Sequence, residues 1–296
     1  MIYLLITTII WGFSFGLIKN NLSSVDPIFV SLCRMVLSLV IFLPFLKLKR
    51  LDHRFRFKMV LIGAIQYGVM YICYTSAFQF LKAYEVALFT IFTPLFVTLF
   101  DGILKKKFSW LFLATTLLTI AGTAVVDYRQ LSTASFWLGF LLVQISNLAF
   151  AVGQILYRNE FKTISLVKDL DIFGLLYLGG VLSTGIASAV FTPWMKLQLG
   201  VTQIWSLAYL GIIASGIGFF LWNLGARKVN VGALAIANDL KVPAAILISL
   251  ALFGEATDLP RLVMGGLIVI AALVINELAL KRKSQPSEIN QNQPIE

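Results

Sequence analysis

The feature that most limits what this chain can become is a succession of apolar runs, each about as long as a bilayer is thick. They fall at about 2–19, 27–46, 57–80, 84–104, 109–127, 134–157, 172–193, 203–225, 231–253 and 259–280. About 20 apolar residues in a helix cross the hydrocarbon layer. A backbone in lipid must satisfy its own N–H and C=O groups, and helices do so within each segment. Ten such runs predict an all-α membrane protein with ten transmembrane helices. With 59% of the 296 residues hydrophobic and only 13% charged, no soluble domain fits beside them.

The formal charge of +10 would suggest a nucleic-acid partner in a soluble protein, but here the basic residues sit between the apolar runs. That is an orientation signal, so no nucleic-acid partner is expected. If the N-terminus lies inside, seventeen Lys and Arg residues fall in cytoplasmic connections, led by Lys47, Lys49, Arg50, Arg54, Arg56 and Lys58, and five fall outside. This asymmetry predicts that both termini are cytoplasmic. The first run lacks a basic leader and a small-residue cleavage site, so it is expected to be retained as a helix. Residues 282–296 are polar and predict a disordered tail.

Two stretches repeat. AFQFLKAYEVALFTIFTP (Ala77 to Pro94) aligns with ARKVNVGALAIANDLKVP (Ala226 to Pro243) at an offset of 149, and WGFSFGLIKN (Trp11 to Asn20) with FAVGQILYRN (Phe150 to Asn159) at an offset of 139. The expected organisation is a five-helix repeat over residues 1–130 and a second over 131–281. Because five is odd, the second half enters the membrane from the opposite side. Such an inverted-topology repeat is typical of secondary transporters.

Several motifs resemble the drug/metabolite transporter superfamily in its EamA-like, ten-helix branch, over nearly the whole chain to about Leu280. They are WGFSF (Trp11 to Phe15), Arg34, GAIQYGVMY (Gly63 to Tyr71) and LFTIFTPLFVTL (Leu88 to Leu99) in the first half. In the second they are LLVQISNLAFAVG (Leu141 to Gly153), ASGIGFFLWNLGA (Ala214 to Ala226), Asn238 and Val242-Pro243. Within the superfamily the likeness is to bacterial inner-membrane biotin carriers, grouped with carboxylate, amino acid and amine transporters. The resemblance implies uptake of a small carboxylate-bearing metabolite such as biotin by alternating access, with no cofactor, and export of amino acids as the alternative. The bilayer and a second copy of the chain are further candidate partners. The chain departs from the biotin-carrier pattern at Asp239 and Lys241, where that pattern has an amide and an imidazole.

A charge in mid-membrane costs a few kcal/mol at least, so it faces a cavity or a partner. Arg34 lies about seven residues, or roughly 10 Å, below the outer end of its helix, and its planar guanidinium suits a carboxylate. It is expected either to hold the substrate's acid group or to pair structurally with an acid such as Glu85. Asp239 and Lys241 point to different sides of one helix. Lys241 is a second candidate for the acid group, and Asp239 and Glu85 are candidates for coupling, against the alternative of a fixed charge network.

Pro94 and Pro243 occupy equivalent places and free the carbonyls of Thr90 and Asp239, which marks them as candidate hinges beside a midplane site. Tyr67, Tyr71 and Tyr74 share a helix face with Gln66 alongside. With Trp222 they form candidate walls for a ring, and Asn147, Asn223 and Asn238 supply candidate amide contacts. Aromatic stripes are more often packing than pocket, and that alternative stays open.

Gly12 to Gly16 reads GFSFG and matches the hydrolase G-x-S-x-G pattern, but Ser14 lies inside an apolar run and the only histidine, His53, lies in a basic loop. An enzyme is not expected. Cys33 and Cys73 are too few for a thiolate metal site, so no metal is expected.

Overall fold

The computed structural model describes residues 2–104, 133–162, 168–229 and 231–254, with scattered positions from 106 to 121 and from 258 to 275. Among the described residues there are helices and no strands. Seven helices are long and apolar enough to cross a membrane: Ile2–Asn21, Pro27–Phe45, His53–Ala77, Ala83–Leu104, Ala134–Phe161, Asp169–Phe191 and Val201–Lys228. Each falls on one of the ten apolar runs. A further helix, Val231–Phe253, covers the ninth run. The fifth and tenth runs, apart from scattered positions, and the tail lie outside the described residues.

We number the α-helical elements α1 (Ile2–Asn21), α2 (Pro27–Phe42), α3 (His53–Gly63), α4 (Met70–Ala77), α5 (Ala83–Phe89), α6 (Thr93–Leu104), α7 (Ala134–Lys162), α8 (Asp169–Phe191), α9 (Val201–Ala208), α10 (Gly218–Lys228) and α11 (Val231–Phe253). Their starts follow local chemistry. Asp26 accepts the Phe29 N–H at 2.8 Å ahead of Pro27, whose fixed φ and missing donor suit a first helical position. Asp52 accepts the Arg54 N–H in the same way at the start of α3. Arg227 and Lys228 end α10, where cations complement the exposed carbonyls.

Three spans depart from α geometry in the middle. A π-helical segment, Ala64–Val69, joins α3 to α4, and another, Tyr209–Ile217, joins α9 to α10. A 3₁₀ turn, Thr90–Phe92, separates α5 from α6 just before Pro94. There the proline cannot donate to the Thr90 carbonyl, and the Thr93 hydroxyl takes that carbonyl at 2.7 Å instead. Pro243 behaves differently: α11 runs through it without interruption, and the residue is exposed.

Helices from before residue 105 pack chiefly on helices from after residue 133. The α1 helix lies along α11 and α10, α2 along α8 and the segment 209–217, and α4 along α7. Glycines permit the closest crossings. A Cβ on Gly63 would stand 1.9 Å from the Leu176 carbonyl oxygen, and one on Gly179 would stand 1.9 Å from that of Val60, so α3 and α8 touch backbone to backbone. Gly12 and Gly16 of α1 instead make room for side chains of α11, those of Ile248 and Phe253.

Polar contacts cross between elements at both ends of the bundle. At the end holding the start of α3 and the ends of α7 and α10, charged pairs cross between elements: Lys47–Asp171 at 3.0 Å, Lys58–Glu160 at 2.9 Å and Arg227–Asp169 at 2.5 Å. At the opposite end Lys19 Nζ donates to the Phe78 carbonyl and Thr192 Oγ1 donates to Asp26 Oδ1.

Candidate functional site

The interruptions converge on one cavity. Its walls come from α1 (Trp11, Ser14, Phe15), α2 (Arg34), α4 (Met70, Tyr71, Tyr74), the bend in the fourth span (Thr90, Thr93), α7 (Ser146, Asn147, Phe150) and α10 (Phe219), and the empty space between them, with the solvent at its open side included, is about 520 Å³. Most of the lining is apolar or aromatic, and one cation stands among it. Phe15 meets Tyr74 edge-on at 5.8 Å, Tyr71 meets Phe219 edge-on at 5.8 Å, and Trp11 tilts against Phe219 at 4.8 Å. These arrangements lock the rings against one another, so the cavity has fixed aromatic walls.

Arg34 is 2% exposed. Its Nε–H donates to Ser215 Oγ at 2.9 Å and its Nη2 donates to Tyr71 Oη at 2.8 Å. Those two hydrogens form the side edge of the guanidinium, leaving the end-on edge, shared by Nη1 and the second Nη2 hydrogen. Nη1 is buried and has no hydrogen-bond partner among the described residues, and no described carboxylate pairs with Arg34. A buried cation with an open planar edge is costly unless an anion meets it, and a carboxylate can do so with two parallel bonds.

Tyr71, Tyr74 and Asn147, all anticipated from the sequence, line this cavity with Arg34. Asn147 is committed elsewhere, however: its Nδ2 donates to the Phe89 carbonyl at 2.8 Å and to Gln144 Oε1 at 3.2 Å. Its amide therefore braces the bend in the fourth span. Gln66, Tyr67, Trp222 and Asn223 do not line the cavity and form a buried layer beside it. Asn223 Nδ2 donates to Tyr67 Oη at 2.6 Å, Gln66 Nε2 approaches Asn223 Oδ1 at 3.4 Å, and Trp222 Nε1 donates to Gln154 Oε1 at 2.8 Å. Tyr67 stacks on Tyr177 with centroids 5.2 Å apart.

Glu85 is buried at the start of α5, where its carboxylate accepts the Lys82 N–H at 2.8 Å. The side chains of Asn238, Asp239 and Lys241 lie outside the described residues. Residue-type patterns missed Trp11, Ser14, Phe15, Met70, Thr90, Thr93, Ser146, Phe150 and Phe219 as lining. Trp11 to Phe15 lay within a motif already noted, but their direction depends on the rotation of α1. Ser215, a partner of Arg34, lay within the motif ASGIGFFLWNLGA, where its small size pointed to helix packing and not to the site.

Toward the charged end, the buried amide layer is followed by a polar cluster. Asp169 accepts from Tyr157 Oη and from Arg227 Nη1, each at 2.5 Å, and the Arg227 guanidinium lies 3.9 Å from the Phe161 ring centroid. This cluster ties α7, α8 and α10 together. Asp169→Asn removes the counter-charge of a partly buried Arg227, and the expected loss is about 2–3 kcal/mol. It is measured as a fall in thermal unfolding temperature in detergent, with recovery in the exchanged pair Asp169→Arg/Arg227→Asp. Equal stability of Asp169→Asn and the unsubstituted protein would show that the pair contributes nothing.

A model of the EamA-like transporter family matches residues 1–127 and again 135–277. A probable biotin transporter of Pseudomonas aeruginosa is 38% identical over 94% of this chain and 98% of its own length. The biotin transporter of Escherichia coli K12 is 36% identical over 97% of each. A solved crystal structure superposes with a TM-score of 0.68, covering 95% of this chain and 98% of its own at 17% identity, which speaks to the fold alone. These relatives are bacterial, and outer-membrane spans of bacteria are β-barrels, so helical spans place the protein in the inner membrane. A chain of many apolar helices around an aromatic cavity, matched by the family in both halves, belongs to the EamA-like transporter family and is a multi-pass membrane transporter, not an enzyme.

Proposed function

We propose that this transporter takes up biotin, or a closely similar carboxylate-bearing metabolite, by alternating access of two inverted five-helix halves with both termini in the cytoplasm. The observation that carries the reading is the buried, unpartnered Nη1 of Arg34, a residue that lines an aromatic cavity. A substrate with an acid tail and a compact ring system meets both features: the carboxylate neutralises the cation, and the ring buries its faces on Tyr71, Tyr74 and Phe219. The relatives named as biotin transporters support the same substrate. The double family match supports two repeats spanning 1–130 and 131–281.

Alternating access supplies a role for the other features. In the cytoplasmic-termini orientation, the Tyr157–Asp169–Arg227 cluster closes the inner end, and the bend before Pro94 is where the fourth span flexes. Lys241 and Asp239, on α11, remain candidates for a second acid contact and for coupling, with Pro243 as the matching hinge.

The test is uptake of labelled biotin by cells that neither make nor otherwise import it. Saturable uptake that depends on this chain and is competed by unlabelled biotin is expected. No uptake by a protein shown to be inserted would overturn biotin as the substrate. Accumulation by inside-out vesicles but not by intact cells would reverse the direction to export.

A further inference from the structure

We infer that Ser215, which does not line the cavity, is a positioning residue that aims the Arg34 guanidinium and so makes the site selective for a carboxylate over its neutral amide. The inference rests on the proposal that Arg34 binds the acid group of the substrate. Every hydrogen in the arrangement can be assigned. The Ser215 hydroxyl donates to the Leu210 carbonyl at 2.7 Å, so its proton is spent and its oxygen is left as an acceptor only. It accepts Arg34 Nε–H at 2.9 Å. Tyr71 Oη lies 2.8 Å from the same oxygen and must donate to it, which leaves the phenol oxygen free to accept from Arg34 Nη2. Two oxygens 2.8 Å apart thus grip the side edge of the guanidinium, and its end-on edge, with Nη1, is left without a protein partner.

The serine is itself held. It is fully buried within the π-helical segment Tyr209–Ile217, where a wider turn loosens the normal backbone ladder. Side chains from three other helices take the carbonyls of that segment. Ser38 Oγ lies 2.8 Å from the Gly211 carbonyl and shares its one proton with the Arg34 carbonyl at the same distance, Trp11 Nε1 donates to Ala214 at 2.9 Å, and Tyr177 Oη lies 2.7 Å from the Ser215 carbonyl and 2.8 Å from that of Gly216. The segment is pinned from α1, α2 and α8 at once, so Ser215 Oγ has one position from which to hold Arg34. Without it, Nε–H and the Tyr71 hydroxyl both lose their partner, and the guanidinium is free to turn.

The experiment compares biotin with its primary amide as competitors of biotin uptake in unsubstituted protein and in Ser215→Ala. In the unsubstituted protein the acid is expected to compete far better than the amide. In Ser215→Ala the KM for biotin is expected to rise about tenfold to thirtyfold, with the maximal rate nearly unchanged and the weak competition by the amide unaltered. Ser215→Thr keeps the hydroxyl and is expected to retain the preference for the acid. Parallel losses for acid and amide would mean that Ser215 supports only the fold, and full discrimination in Ser215→Ala would overturn the inference directly. Equal competition by acid and amide in the unsubstituted protein would instead sink the underlying reading of Arg34. If Ser215→Ala does not insert, Ser215→Cys, which offers only a weak sulfur acceptor, carries the same expectation at smaller size.

Discussion

Arg34→Met is expected to insert into the membrane and to lose substrate binding by about 2–5 kcal/mol, roughly thirtyfold to several thousandfold in affinity. The size follows from what the guanidinium does. It is a cation 2% exposed, with two donors committed to protein oxygens and an end-on edge left open. A bound carboxylate is therefore both a bidentate partner and the neutraliser of a buried charge. Arg34→Lys keeps the charge but loses the fork, since an ammonium is a point donor that cannot grip Ser215, Tyr71 and a carboxylate in fixed directions. Its expected loss is smaller than that of Arg34→Met and still tenfold or more. Because replacing a buried charge by an apolar group tends to be neutral or stabilising, Arg34→Met should keep or raise the unfolding temperature while uptake disappears. Binding of labelled substrate to purified protein, read beside thermal stability, checks both halves. Unchanged affinity in Arg34→Met would remove this residue from the site.

The second large effect is structural. Gly63→Ala and Gly179→Ala each place a methyl 1.9 Å from a backbone oxygen of the facing helix, Leu176 in one case and Val60 in the other. No side chain can rotate away to make room, so α3 and α8 must separate. Overpacking against backbone is expected to cost more than about 3 kcal/mol, seen as loss of monodisperse protein on extraction in mild detergent. Both glycines serve one crossing, so the double variant should be less destabilised than the sum of the singles. Gly185→Ala, on α8 too, is the control: its added methyl meets only Leu32 at 3.9 Å and should be tolerated. Wild-type yield and stability in Gly63→Ala would show that the two helices do not cross so closely.

Much of the architecture was legible because it is local. The runs at 2–19, 27–46, 57–80 and 84–104 became spans because twenty neighbouring apolar residues decide a membrane helix with no reference to the rest of the chain. The bend in the fourth span was legible from Pro94, since the loss of one N–H is a property of one residue. Its equivalence to Pro243 was less informative, as α11 stays continuous there. The tyrosine stripe, three candidates for one wall by their spacing, divides between two environments in the structure. Tyr71 and Tyr74 reach the cavity, whereas Tyr67, one turn earlier, lies in the π-helical segment and packs on Tyr177.

By itself the sequence determined that the chain must live in a membrane as helices, and that Arg34 is a charge needing a reason. Only the tertiary structure decided what that reason is. The partner of Arg34 lies 181 residues away, in a turn whose π geometry no hydropathy pattern encodes. Hydropathy sums neighbouring side chains, but the free edge of a guanidinium depends on the rotation of three helices about their axes. That rotation is set where glycines let backbones meet and where side chains from α1, α2 and α8 take the loose carbonyls of the segment 209–217. These are non-local choices, made by packing after the helices exist.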